Sequence, residues 1–487
     1  MTAPVTAALA RGAASAQPES LVDLRSPSLS TRIAYAGPAL ALAVVGVPLY
    51  VFVPKFCSDV VGVPIAALGT ILAAVRLFDA VLDPPIGWLS DQTRTRMGRR
   101  RPWLLLGVLP LALCMVALLV PPDLEPAGAT LWFALTIFAV FLFWTVVTVP
   151  YEALGPELCF DHHDRTALLG LRDGALLLGT VVAVSSPFWI GSWIDAPVGP
   201  TGERARMAAI AAVYAPLLVV LCVACVAVVR EPVAARRVAS PRPSLRVMLE
   251  NRPFRILLAS YTVSALGSSL PATLILYYVQ YVLGATSAEL YLFVYFAVGI
   301  ALLPAWIAAS RRFGKRNAWI AAMAVNTCAF TGVFFLGPGQ TLAYGFLVSL
   351  SGVGLGGTLA LPSAMQADVI DYDELLSGQR REGQYIGIWS IARKLAGALG
   401  VGTALAALGI VGYVPNGEQS PQVVTTLRVL YALVPSLCNV AGMAIALSYP
   451  IDEARHHEIL EAIAARRREQ QSHMDDATGL FVAAESA

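Results

Sequence analysis

The sequence predicts an all-α polytopic membrane protein, with twelve transmembrane helices in two pseudo-symmetric halves of six. Three observations carry this. The 487 residues are 57% hydrophobic and only 14% charged, whereas soluble domains carry about 25% charged residues. Twelve apolar segments, each near the ~20 residues that span a bilayer, run at approximately 33–56, 63–89, 103–121, 128–151, 167–194, 207–229, 254–283, 288–309, 318–337, 342–366, 384–412 and 424–449. The basic residues alternate between the connecting loops, with Gly199 to Arg206 the exception.

Residues 1–30 are rich in Ala, Ser and Pro without an apolar run, so a disordered tail is expected rather than a signal peptide. The first six-helix bundle is expected at 31–229, a cytoplasmic linker at 230–252, the second bundle at 253–449 and a basic tail at 450–487. Internal prolines such as Pro48, Pro84, Pro216 and Pro271 are expected to bend their segments. The loops after the second and eighth segments, SDQTRTRMGRRRP and RRFGKRN, are rich in Arg, as are the linker and the tail. The intervening loops 57–62, 121–127, 284–287, 338–341 and 413–423 carry almost no Lys or Arg. The positive-inside rule then places both termini in the cytoplasm. The expected setting is a bacterial-type inner membrane.

GRRRPW (98–103) is echoed by GKRNAW (314–319) at the equivalent link of the second half. Two such halves describe a secondary transporter in which the bundles rock about a central site. Cys222 and Cys225 form a CxxC inside an apolar helix with no second ligand pair, and read as small hydrophobes rather than metal ligands. No Walker, Rossmann or G-x-S-x-G signature stands in a strand–turn–helix context. Neither catalytic residues nor a metal site nor a nucleic-acid partner is therefore expected. The expected partners are a small-molecule substrate and the bilayer, with the monomer as functional unit.

The chemistry is concentrated in VRLFDAVLDPPIGW (75–88), where Arg76, Asp79 and Asp83 share one side of a helix. Each such charge costs roughly 2.5–3.5 kcal/mol on insertion scales, and is tolerated facing a bundle interior or an aqueous cavity. A buried Arg–Asp pair that only joins helices would leave one carboxylate unbalanced. An ion path accounts for all three. Other polar groups at depth are Thr145, Thr148 and Glu152, then Arg172 and Asp173, then Tyr261, and finally Trp389, Arg393 and Lys394.

These motifs resemble the glycoside–pentoside–hexuronide:cation symporters of the major facilitator superfamily, the branch containing the melibiose permease. The similarity is carried by SDVVG (58–62), RLFDAVLDPPIGW, VPYEALGPEL (149–158) with DRT (164–166), ADVIDYDE (367–374), the lysine of ARK (392–394) and GYVPNGEQS (412–420). It implies the major facilitator fold and symport driven by H⁺ or Na⁺, with no cofactor beyond that coupling ion. It implies that Asp79, Asp83 and Thr145 bind the cation, with Lys394 and Arg76 as its charge partners. For substrate it leaves Thr148, Glu152, Arg172, Asp173, Trp389 and Tyr261.

The departures are informative. The family's sodium-coupled melibiose permease has Asn between the two carboxylates, where this chain has Leu82, and that favours H⁺. Its sugar-binding acids on the first and fourth helices are replaced by Ala43 and Thr148. A sugar or glycoside is the expected substrate. A lysophospholipid, another amphiphile or an organic anion drawn to Arg172 is the alternative. The Arg-rich loop 91–101 is expected either to latch the cytoplasmic side or to serve only as a topology signal.

Overall fold

A computed structural model of the chain describes residues 27–158, 162–197, 199–231, 248, 250–285, 288–378, 381–466 and 468. Most of the linker 230–252, and the tail segments 1–26 and 469–487, lie outside the described residues. The chain forms α1 (Leu29–Phe56, running on through a π turn at Cys57–Val61), α2 (Ile65–Gln92), α3 (Arg101–Leu119), α4 (Pro126–Leu158), α5 (His162–Trp193) and α6 (Pro200–Val228). The second half comprises α7 (Arg252–Tyr281), α8 (Ala288–Ala301), α9 (Leu303–Phe313), α10 (Lys315–Phe334), α11 (Thr341–Ser377), α12 (Glu382–Ile410), α13 (Pro421–Arg428) and α14 (Val434–Ala446), the last two joined by a π turn. Eleven helical runs are long and apolar enough to cross a membrane, and α8 with α9 makes a twelfth.

Local chemistry sets the boundaries. The Asn251 side chain accepts the Phe254 N–H at 3.1 Å and starts α7, with Pro253 in its first turn. Ser420 does the same for α13, accepting from Val423 N–H at 3.4 Å. The internal prolines named from the sequence do not interrupt their helices. Pro48, Pro84, Pro216 and Pro271 lie inside continuous helices. The break among the described residues is at Leu302, where α8 and α9 meet at 43°. Pro304 has no N–H for the carbonyl of residue 300, and its ring crowds that carbonyl, so the span hinges there.

The two halves meet most closely where α2 runs against α12. Glycines make the approach possible. A Cβ on Gly69 would stand 2.8 Å from Leu405 Cβ, one on Gly402 2.8 Å from Ala73 Cβ, and one on Gly409 2.9 Å from Ala66 Cβ. Small residues let helix backbones approach without a hydrophobic driving force, which lipid does not supply. This tight part of the seam lies toward the arginine-poor end, the end carrying residues 57–64 and 411–420.

That end is also tied across the halves by hydrogen bonds. Asp59, in the π turn after α1, accepts from Tyr413 Oη at 2.7 Å and from Tyr281 Oη at 3.1 Å. Its backbone carbonyl accepts from the Asn416 amide at 2.6 Å, and Ser58 Oγ lies 2.9 Å from Tyr277 Oη. Lys55 pairs with Asp59 and stands over the Tyr277 and Tyr281 rings at 5.3 and 5.1 Å. Burial and the Asp59 carboxylate push the Tyr413 phenol well above its ordinary range, so it stays a donor.

The arginine-rich end is organised differently, with its pairs running inside each half. Arg99 and Arg100 reach Glu157 on α4 at 3.0 and 3.1 Å, and Arg100 also pairs with Asp91. Glu231 accepts the backbone N–H groups of Arg99, Arg100 and Arg101 at 2.5–2.8 Å. In the second half Lys315 holds Asp368 at 2.6 Å and Arg381 holds Asp373 at 2.9 Å. The pairs that loop 91–101 makes among the described residues lie within the first half. Here the loop braces α2, α4 and the end of α6 within the first half.

Candidate functional site

Asp79 and Asp83 sit one turn apart on α2, where the tight α2–α12 seam ends. Lys394 on α12 reaches across from the other half and bridges them. Its Nζ is 2.9 Å from Asp79 Oδ2 and 2.6 Å from Asp83 Oδ2. Thr145, fully buried on α4, donates its hydroxyl to Asp79 Oδ1 at 2.8 Å. The two carboxylates are not equivalent. The Asp79 side chain is 5% exposed and the Asp83 side chain 25%. Asp83 therefore faces the accessible side, and Asp79 forms the buried floor. The triad holds two negative charges against one positive, so it carries a surplus negative charge at bilayer depth.

Arg76 does not join it. Its guanidinium lies over the Tyr50 ring at 3.7 Å, with the Phe141 ring at 5.7 Å. Among the described residues it makes no ion pair with either aspartate. The reason is geometric: a shared helix face brings Arg76 near Asp79, but Tyr50 on α1 and Phe141 on α4 offer the cation two aromatic faces. The expectation that Arg76 acts as a charge partner of the cation site is corrected accordingly.

Below the triad lies a second group of charges. Glu152 on α4 is solvent-accessible and lies within electrostatic range of Arg172 on α5, of Asp83 on α2, and of Arg393 and Lys394 on α12. Groups from four helices of both halves come into range of one another only in the space between the halves. Arg172 donates to Asp173 Oδ1 from Nε and Nη2, at 2.9 and 2.7 Å. Tyr261 and Trp389 stack with ring centroids 4.1 Å apart. Trp389 is 8% exposed, so its role here is packing, and Tyr261 is the more accessible member. Thr148 donates its hydroxyl to the Trp144 carbonyl at 2.9 Å, within its own helix, and keeps only acceptor capacity for a ligand.

The sequence reading missed two features. Arg393 was noted but given no role, although a second cation in an apolar helix is the same signal that singled out Asp79. Asp59 stands in the SDVVG motif, and the sequence alone gives it no partner. Its partners Tyr281 and Tyr413 carry no charge and so left no trace in the hydropathy pattern.

Residues 34–453 match the family described as MFS/sugar transport protein. A glucuronide carrier protein homolog from Escherichia coli (strain K12) is 29% identical, over 88% of this chain and 93% of that protein. A putative glycoside/cation symporter from the same organism is 26% identical, over 87% and 92%. Among solved structures, a D-xylose-proton symporter superposes with a TM-score of 0.59 at 16% identity, over 87% of this chain and 97% of that one. That likeness bears on the fold alone.

Proposed function

The chain belongs to the MFS/sugar transport protein family, and on that premise we propose that it is a cation-coupled symporter of a sugar or glycoside that works by alternating access. It is a multi-pass integral membrane transporter rather than an enzyme. The observation that carries the coupling is the Lys394 bridge between Asp79 and Asp83 at the inner limit of the closed seam. Closing the halves over this triad buries a net negative charge, which is expensive in low dielectric. A cation on the more accessible Asp83 cancels the surplus and leaves a neutral Asp79–Lys394 pair. Closure is then cheap only when the cation is aboard, and that condition is coupling.

The charged and hydroxyl-bearing lining fits a polyhydroxylated substrate better than the alternative of a lysophospholipid or other amphiphile. A relative named as a putative glycoside/cation symporter supports the same reading. The test is uptake by the purified chain in proteoliposomes, under an imposed H⁺ or Na⁺ gradient, against a panel of glycosides and lysophospholipids. Accumulation of at least one glycoside above its external concentration is expected. Accumulation of a lysophospholipid and of no glycoside sinks the sugar reading.

The arginine-rich end is assigned to the cytoplasm of a bacterial-type inner membrane, with both termini there and a single chain as the functional unit. Asp59 and its tyrosines then form the external closure, and the structure faces inward. A cysteine placed at Thr148, after the native cysteines are replaced, tests orientation and closure together. In the parent it should react with an impermeant thiol reagent from the cytoplasmic side only. Asp59→Asn weakens the tie to Tyr281 and Tyr413, and external labelling should rise several-fold. External labelling of the parent reverses the orientation. Unchanged labelling in Asp59→Asn removes the closing role of the tie.

A further inference from the structure

We propose that the second half binds a phosphate group at the first turn of α10, in a cavity on the arginine-rich face of the protein. The proposal goes beyond the transport reading and does not depend on it. It starts from the repeat GRRRPW and GKRNAW, which opens α3 in one half and α10 in the other. In the first half the repeat holds an anion supplied by its own chain. The Glu231 carboxylate accepts the backbone N–H groups of Arg99, Arg100 and Arg101 at 2.5, 2.8 and 2.7 Å. Gly98 makes the room, since a Cβ there would stand 2.5 Å from the carboxylate carbon.

The second half has the same turn without the carboxylate. Gly314 has a φ of +81°, as Gly98 has one of +107°. A Cβ on Gly314 would meet no described atom within 4 Å. The N–H groups of Lys315, Arg316 and Asn317 lie in the first turn of α10, where the helix itself offers them no carbonyl. Among the described residues no side chain accepts them. They border a cavity of about 250 Å³ that Ser310 and Arg311 also line. That is far more than the roughly 10–15 Å³ that holds one water.

The charges around the cavity sort into engaged and free. Lys315 is held by Asp368 at 2.6 Å, and Arg316 donates to the Tyr449 carbonyl at 3.2 Å. His456 lies 3.4 Å from the same Asp368. Asp452 accepts the Arg455 N–H at 2.9 Å and so starts the tail helix, and Glu453 beside it is exposed. Arg311 is exposed and, among the described residues, has neither an ion pair nor a hydrogen bond. Three N–H groups and a free guanidinium suit a compact anion with several acceptor oxygens. A phosphate group presents them in three dimensions, whereas a carboxylate presents two in one plane. Bound there, it ties α10 to the end of α9 and the start of the tail helix, much as Glu231 ties the end of α6 to α3.

The test follows the thermal midpoint of the purified full-length chain in maltoside detergent. Inorganic phosphate is titrated at constant ionic strength, with chloride making the balance. The parent midpoint should rise and saturate. Arg311→Gln should need several-fold more phosphate for the same rise. Ser310→Glu places a carboxylate in the same cavity, as Glu231 does in the first half. Its midpoint should exceed the parent's in phosphate-free buffer and respond little to added phosphate. A second arm adds phosphatidylglycerol to the micelles in phosphate-free buffer. A rise there that Arg311→Gln and Ser310→Glu lack, with no response to inorganic phosphate, identifies a lipid headgroup as the source of the phosphate group. A saturable response to inorganic phosphate identifies a soluble source. Stabilisation by phosphate as an excluded salt would be shared by both variants. Such a shared response overturns the proposal, as does a parent that neither phosphate nor phosphatidylglycerol stabilises.

Discussion

Asp83→Asn ends uphill accumulation and leaves exchange of substrate across the membrane intact, and Asp79→Asn does the same. The expectation follows from what each carboxylate does to the triad. Removing the charge of Asp83 leaves Asp79 paired with Lys394 at 2.9 Å and no surplus to cancel. Removing that of Asp79 leaves Asp83 paired with Lys394 at 2.6 Å, again neutral. In the parent, an uncompensated buried charge costs about 3–5 kcal/mol, so closure without the cation is disfavoured by about two to four orders of magnitude. That penalty forbids the slippage that would dissipate the gradient. With Asn in place the penalty is gone, the halves close with or without a cation, and the carrier becomes a passive exchanger. The measurement is steady-state accumulation in proteoliposomes set against counterflow in the same preparation. The accumulation ratio should fall to one in both variants, with counterflow near the parental rate. Variants that concentrate substrate like the parent would reduce the Lys394 bridge to a structural tie between the halves.

How much of this was legible depended on whether a residue is expensive in lipid. The spans were readable because hydropathy is additive over about 20 residues. Asp79, Asp83 and Lys394 were readable because a charge in an apolar run needs a reason wherever it stands. Thr145 was one polar group among several, and its cation-binding role came only through the resemblance, since a threonine in a membrane helix carries no penalty that marks it. Arg76 was misplaced because helical spacing fixes its direction but not its neighbours. Tyr50 and Phe141 come from other helices. The external tie was invisible for the same reason. Asp59 lies 222 residues from Tyr281 and 354 from Tyr413, and only the packing of α1 against the second half brings them within hydrogen-bonding distance. The hinge at Leu302 was missed because a proline predicts a break only when neighbouring helices fail to re-satisfy the freed carbonyl. The four prolines named from sequence sit in helices that stay continuous.

The coupling ion is expected to be H⁺, with uptake following an imposed pH gradient and indifferent to Na⁺. The oxygens at the triad are those of Asp79 and Asp83 and the Thr145 hydroxyl, whose proton is already donated to Asp79 Oδ1 at 2.8 Å. Leu82, between the two carboxylates, adds none. Lys394 Nζ stands where a metal cation would have to sit, within 2.9 Å of one Oδ2 and 2.6 Å of the other. A sodium ion must therefore displace the ammonium and still replace several hydration oxygens. A proton needs only one carboxylate oxygen and displaces no hydration shell. The assay is uptake into proteoliposomes under a pH gradient alone, a Na⁺ gradient alone, and both. The pH gradient alone should support full accumulation and the Na⁺ gradient alone none. Leu82→Asn supplies an amide oxygen on the helical turn between the two aspartates, and should raise Na⁺-driven uptake from background to a measurable fraction of the H⁺-driven rate. Accumulation in the parent that requires Na⁺ and ignores the pH gradient would overturn the proton assignment. It would mean that backbone carbonyls or water complete a metal site around Asp79 and Asp83 once Lys394 has swung away.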